Sequence, residues 1–405
     1  MNRLPLYTFY TANAISLIGN NLTMIAVPWF VLETTGSAAK MGIVGFFTAL
    51  PAVLAAFFGG TVVDRTGYKQ MSVFSDLASG VTVALIPLLY LTIGLEFWQL
   101  LALVFLSALF DGPGNTARIS LLPDIARNSN VTLEQANAVH QSIYRGATLV
   151  GPALAGGLIV WVGSSNVLWL DALTFAVSAG LFALIMPAKP VEPSTESYFS
   201  QLKAGLRFIR HNRLILTLAV TVAITNFLDS PIFAVILPVY VKQIFGDATR
   251  LGFMISTFGG GAVLGTILFG TIGGRLPRRL TFITAFFLLG LTFWVLAVTP
   301  PFAVVLGTAF FGGVMAGPLN PLIMTVAQER IPSDMRGRVF GMITAIALIA
   351  APLGMVLAGY LVEYFSVTTA LLIIGVGYLL VTTTQLFNPT LHQMDAHPSP
   401  GITDD

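Results

Sequence analysis

Hydrophobic positions in this chain run in long blocks instead of alternating with polar ones, and charged or turn residues separate the blocks. The blocks cover about 6–32, 41–63, 71–93, 97–120, 135–162 and 165–187, then about 214–243, 249–273, 280–299, 302–327, 337–363 and 367–387. Each approaches or exceeds the roughly 20 helical residues that cross a bilayer's hydrocarbon core. The pattern predicts twelve transmembrane helices. Between the sixth and seventh blocks, Phe199, Leu202, Leu206 and Ile209 recur at helical spacing with basic residues on the opposite face. That predicts an amphipathic helix on the inner membrane surface, with a plain solvated linker as the alternative. The chain therefore divides into a six-helix bundle over 1–188, a cytoplasmic linker over 189–213, a second bundle over 214–388, and a tail over 389–405 predicted to be disordered.

Composition sharpens this reading. Hydrophobic residues are 55% of the chain and charged residues 9%, with a mean hydropathy of +0.84. A soluble domain carries roughly 25% charge, so this surface could not be covered in water. The fold class is all-α integral membrane. There is no cysteine, which excludes disulfides, a thiol nucleophile and a thiolate metal site. His140, His211, His392 and His397 are scattered, so no metal site is expected. No lysine follows a glycine, which removes the phosphate-cradling GxxxxGK[ST] loop. A formal charge of +2, thinly spread, argues against nucleic acid as a partner. No cofactor and no enzymatic activity are expected. The first block runs past Trp29, too long for a cleavable signal peptide.

With the N-terminus placed in the cytoplasm, only Lys40, Lys242 and Arg250 fall outside and Arg145 within a span, leaving 16 of the 20 Lys and Arg inside. That is the asymmetry of a cytoplasmic face, and it predicts a multi-pass protein of a bacterial plasma membrane with both termini on the cytoplasmic side. All five tryptophans (Trp29, Trp98, Trp161, Trp169, Trp294) fall at outer helix ends, as an interfacial belt would.

The chain also repeats itself. Pro28–Lys69 and Pro238–Arg279, offset by 210 positions, share Pro28/Pro238, Val31/Val241, Gly36/Gly246, Ala38/Ala248, Gly42/Gly252, Ala52/Ala262, Val53/Val263, Leu54/Leu264, Gly60/Gly270, Thr61/Thr271 and Arg65/Arg275. Gly112-Pro113-Gly114-Asn115 is echoed by Gly317-Pro318-Leu319-Asn320. Two parallel six-helix halves with a cavity near the midplane are a transporter architecture.

The segment joining the second and third blocks holds Gly60, Asp64, Arg65, Gly67 and Lys69 in the order of a GxxxDRxGRK-like signature. At these residues the chain resembles the major facilitator superfamily. Tyr68 stands where that signature usually has arginine, and the second copy has Gly274 in place of Asp64. The resemblance implies a gating contact at this loop, in which Asp64 caps a facing helix or pairs with an arginine such as Arg118. Leu121-Leu122-Pro123-Asp124-Ile125, Leu133-Glu134-Gln135-Ala136-Asn137-Ala138 and Gly151-Pro152-Ala153-Leu154-Ala155-Gly156 resemble the macrolide-efflux and siderophore-export branch of drug:proton antiporters. In such antiporters a Gly-Pro motif bends the fifth helix and helps set export direction. Here the spacing is GPxxxGG rather than GPxxGG, so Gly151, Pro152 and Gly156 read equally well as a kink and as a close-packing site.

Charges at bilayer depth cost at least about 2.5–3.5 kcal/mol each and so need a reason. Asp229 and Asp111 lie centrally in their blocks, and Arg145 about a third of the way into its own. Asp229 is either a proton or cation site or a structural acid bonded to Asn226. Asp111 either binds a proton or substrate, or accepts amides freed by Gly112-Pro113. Arg145 either neutralises Asp111 or binds anionic substrate groups. Asp76 and Asp171 read as structural. Asn13, Asn20 and Asn21 either line a cavity wall or bond between helices. Thirty Phe and twelve Met suit an adaptable, greasy cavity, though Phe also simply fills membrane helices. The sequence-level expectation is a monomeric exporter of small amphiphilic molecules in exchange for protons, in contact with membrane lipid. A lipid flippase and a siderophore exporter are the alternatives on the same fold.

Overall fold

The computed structural model describes residues 3–185, 198–332 and 335–395, with the side chains of 56–65, 185, 198–202 and 337 outside that description. The first half contains α1 (Leu4–Thr35), α2 (Ala38–Thr66), α3 (Tyr68–Thr92), α4 (Phe97–Asn128), α5 (Leu133–Val162) and α6 (Ser164–Ile185). Then come α7 (Tyr198–His211), α8 (Arg213–Pro231), α9 (Leu237–Ile244), α10 (Ala248–Ile272), α11 (Arg278–Ala297), α12 (Phe302–Ala316), α13 (Leu319–Arg330), α14 (Arg336–Tyr364) and α15 (Val367–Phe387). Among the described residues, twelve helical segments are long and apolar enough to span a membrane. Their ends fall within a few residues of the hydropathy blocks, except where α4 runs on to Asn128.

Two spans are interrupted. The seventh is α8, a π-helical turn at Ile232–Ile236, and α9; Pro231 immediately precedes the turn. The Leu237 amide donates to the Ile232 carbonyl five residues back, and Pro238 just beyond the turn has no N–H to offer the Ala234 carbonyl, so the ladder shifts register at this point. The tenth breaks at Gly317-Pro318 between α12 and α13. Its echo in the fourth span behaves differently, because α4 stays helical across Gly112-Pro113. Expected unwinding beside Asp111 is therefore absent.

The chain forms two compact units, 1–195 with 230–256 and 355–363, and 196–229 with 257–354 and 364–405. In the first, α1 packs on α5 and α6, and α3 on α4 and α6. Leu6, Phe9, Ala12, Leu121, Leu122, Ile125, Ala136 and Phe182 form one of its buried apolar clusters. At the end of this unit that carries Lys40 and Arg250, helices approach to backbone contact. A Cβ on Gly42 would meet the Met355 carbonyl and the Cα of Gly359, while one on Gly252 would meet the Pro152 carbonyl and Ala153. Gly42 and Gly252 are repeat equivalents, so the duplication extends to packing. Glu363 seals the same end, its Oε2 accepting from the Ala38 and Ala39 amides at 2.7 and 3.2 Å.

In the second unit the linker helix departs from expectation. Ile209 of α7 is buried with Ile215, Ala219, Ala327, Ile331, Val339 and Met342, and Gly205 lies against the Arg338 carbonyl. The protein itself, not the membrane surface, covers this part of the amphipathic face. The start of the tail is also ordered. Pro389–Met394 forms a 3₁₀ helix with Leu391 and Met394 buried, and Arg330 donates to the Gln393 carbonyl at 2.5 Å. Residues 396–405 lie outside the described part. Trp29 is a further correction. It is 3% exposed, donates to Glu33 at 2.8 Å and lies under the Lys242 ammonium, so it is a packed residue and not part of an interfacial belt.

Candidate functional site: a polar cavity in the first half

A cavity of about 500 Å³ opens among α1, α4 and α5, lined by Asn13, Asn20, Asn21, Asp111, Asn115, Arg118, His140, Gln141 and Tyr144 among others. Helical spacing explains the set. Asn13, Asn20 and Asn21 lie seven and eight residues apart on α1, and Asp111, Asn115 and Arg118 four and seven apart on α4, so each group forms one stripe.

Within the cavity wall Asn20 donates to the Asp111 carboxylate at 3.4 Å, joining two predicted site residues. Asn13 and the His140 ring are 3.4 Å apart, and Tyr10 donates to the Ala136 carbonyl at 3.2 Å beside them. Asn21 donates to the Leu17 carbonyl of its own helix at 2.7 Å and packs on Gly151. His140 was not singled out from sequence as a site residue; its spacing four before Tyr144 on a helix carrying Arg145 was the available signal.

Other predicted residues lie elsewhere. Arg145 is exposed, and the structure does not bring it into an ion pair with Asp111. Arg118 is 2% exposed and committed to Asp76, to Ser16 at 3.0 Å and to the face of Phe182. Its expected partner Asp64 lies outside the described side chains, as do Gly60 and Arg65. Gly67 has φ +84°, a conformation that favours glycine, and starts α3 in the tight turn expected of it; Lys69 is the second residue of α3. Asp76 also accepts from Ser178 at 2.6 Å, and Asp171 accepts from Thr23 and Thr174, which fits their structural reading.

In the second unit Asp229 accepts from the hydroxyl of Tyr378 on α15. Asn226 is not its partner, because that amide donates to the Val222 carbonyl of α8 at 2.9 Å. Tyr378 was missed in sequence. Nothing local marks a tyrosine 149 positions away as the partner of an acid.

The Gly-Pro motif packs and does not break its helix. α5 is continuous through Pro152, the Ala153 amide donates to Ser256 at 3.1 Å, and Gly156 lies against Ala248 and Thr249.

A family model described as transmembrane secretion effector matches residues 5–401. The chain belongs to the major facilitator superfamily. It is 31% identical over 404 residues to the multidrug efflux pump Tap of Mycolicibacterium fortuitum, covering 98% of both chains. It is 22% identical over 380 residues to macrolide efflux protein A of Streptococcus pyogenes, covering 92% and 93%. The nucleoside transporter NupG has the same fold, with a TM-score of 0.79 at 12% identity over 95% of this chain and 98% of that one. As a superfamily member the protein is a multi-pass membrane transporter.

Proposed function

We propose that this transporter exports small amphiphilic, drug-like molecules by alternating access, taking protons inward in exchange. Whole-length similarity to a pump named for multidrug efflux supports the substrate class. The observation that carries the site is the Asp111–Asn20 pair in the wall of the polar cavity. One carboxylate among carboxamides, an imidazole and a phenol, with the lining Arg118 already paired to Asp76, suits a cationic molecule with further hydrogen-bonding groups, because a buried positive charge needs a paired acid and buried polar groups need partners.

Asp229 is the coupling acid in this reading. Its repeat equivalent is Gly19, so the carboxylate is an addition to the duplicated plan, and Tyr378 holds it beside the π-turn of the seventh span. Carriage of one charge through 100 mV is worth about 2.3 kcal/mol, enough with a pH gradient to concentrate a solute more than tenfold. The protein acts as a monomer in a bacterial plasma membrane, with both termini cytoplasmic. Gly60, Asp64, Arg65, Gly67 and Lys69 form the inner gate between states.

Purified protein in liposomes, with an imposed pH gradient and a panel of dyes, macrolides and lipids, tests the whole reading. Gradient-driven accumulation of cationic dyes is expected, with Asp111→Asn weakening their binding. Asp229→Asn should abolish accumulation yet retain downhill exchange. An Asp229→Asn protein that still builds a substrate gradient would move the coupling role elsewhere, and lipid movement without any proton dependence would establish a flippase.

A further inference from the structure

The degenerate second copy of the gating signature has another use in the fold. A groove of about 320 Å³ runs between α10, α11 and the α12–α13 break, lined by Leu268, Ile272, Leu276, Leu280, Thr284 and Met315 among others. Its walls are almost wholly apolar, and Leu268, Ile272 and Leu280 are each exposed by 43% or more. Three arginines cluster at its end of the bundle. Arg278 is bound at 2.6 and 2.8 Å to Glu329, and Arg279 donates to the Leu386 carbonyl at 2.6 Å. Arg275 alone has no partner among the described residues. It is exposed, and ends the 3₁₀ turn Gly273–Arg275 between Ile272 and Leu276, which both line the groove. In the first half the equivalent arginine follows Asp64; here Gly274 replaces that acid, so no neighbouring carboxylate occupies the cation.

We propose that this groove binds an anionic phospholipid, its phosphate on Arg275 and part of one acyl chain along α10 and α11. Apolar walls alone would accept any lipid tail. The uncommitted guanidinium at the membrane–water boundary selects the head group, since arginine pairs with phosphate oxygens through two parallel N–H donors. A basic residue near an anionic leaflet attracts it by an amount set by the local surface potential. The site is independent of what the protein exports, and the proposed orientation only assigns it to the cytoplasmic leaflet.

Native mass spectrometry of the full chain, offered equal phosphatidylglycerol and phosphatidylcholine, reads the site directly. The wild-type protein should retain phosphatidylglycerol in preference. Arg275→Gln should reduce that preference roughly fivefold, the ratio equivalent to about 1 kcal/mol, while Arg127→Gln on the first half should leave it unchanged. Thr284 is exposed on the groove rim, so Thr284→Trp can fill the groove without entering the core, and should lower retention of both lipids. An unchanged preference in Arg275→Gln would mean annular lipid only. Undiminished phosphatidylglycerol on Thr284→Trp would mean a head-group contact without a groove. Either result overturns the proposal.

Discussion

The buried charges of this protein differ in how fully their neighbours satisfy them. Asp76 and Arg118 are 0% and 2% exposed and satisfy each other, with Ser178 and Ser16 taking further valences. Removing one member of such a pair leaves an unpaired buried charge and typically costs about 3–5 kcal/mol. Asp76→Asn should therefore lower the melting temperature by several degrees in detergent, and adding Arg118→Gln should recover part of the loss. A melting curve unchanged by Asp76→Asn would show that the ion pair contributes little. Among the described residues Asp229 has one side-chain hydrogen bond, from Tyr378, so the second prediction concerns transport more than stability. Tyr378→Phe should impair gradient-driven efflux, whereas Asn226→Ala, which removes only a bond to its own helix, should leave it near normal; equal impairment would return Asn226 to the site. Position in a hydrophobic block was enough to single out Asp229, Asp111 and Arg145 from sequence. It could not say which way each pointed. Arg145 lies on an exposed face of α5, and the partner of Asp229 sits on the last span, so both depend on tertiary placement that no local pattern encodes.

Among the elements, lengths were legible because the apolar blocks and the charges that end them obey the thickness of a bilayer. Interruptions were not, because the same dipeptide has different outcomes: Gly112-Pro113 is carried within α4, while Gly317-Pro318 ends α12. What decides is whether neighbours re-satisfy the freed backbone groups, and at Gly317 the carbonyl accepts from Thr266 at 3.0 Å. The amphipathic α7 shows the same limit. Its periodicity was plain, but a membrane surface and a protein surface ask for the same apolar stripe. The glycine pair after Pro152 gives an element-scale test. A Cβ on Gly156 would collide with the Ala248 carbonyl, whereas Gly157 has open space. Gly156→Ala should force α5 and α10 apart and slow transport severalfold, while Gly157→Ala should be neutral or slightly stabilising through helix propensity. Equal effects on transport rate from both would assign the motif to backbone flexibility instead of packing.

At the scale of the whole molecule, the internal repeat carries the most information, since a duplicated sequence implies two halves of one design. It also shows where the halves have diverged. Gly42 and Gly252 remain close-packing positions in both copies, but Asp64 has become Gly274. Opening of the Lys40 end must separate Gly42 from Met355 and Gly359, and must break the bonds from Ala38 and Ala39 to Glu363. A carboxylate on helix-terminal amides contributes about 1 kcal/mol, from its charge against the helix dipole and from its hydrogen bonds. Glu363→Ala should thus favour the open end by roughly fivefold. The cysteine-free chain makes this measurable. A single cysteine at Met41, which is 1% exposed, should react with a membrane-impermeant maleimide from outside intact cells slowly in the parent and about fivefold faster with Glu363→Ala. A cysteine at Lys203 provides the orientation control, because it should react only after the membrane is permeabilised. Labelling of position 203 from outside would invert the proposed topology. If position 203 behaves as expected and the rate at position 41 is the same with and without Glu363, then the carboxylate caps α2 without restraining the opening, and the glycine contacts alone hold that end shut.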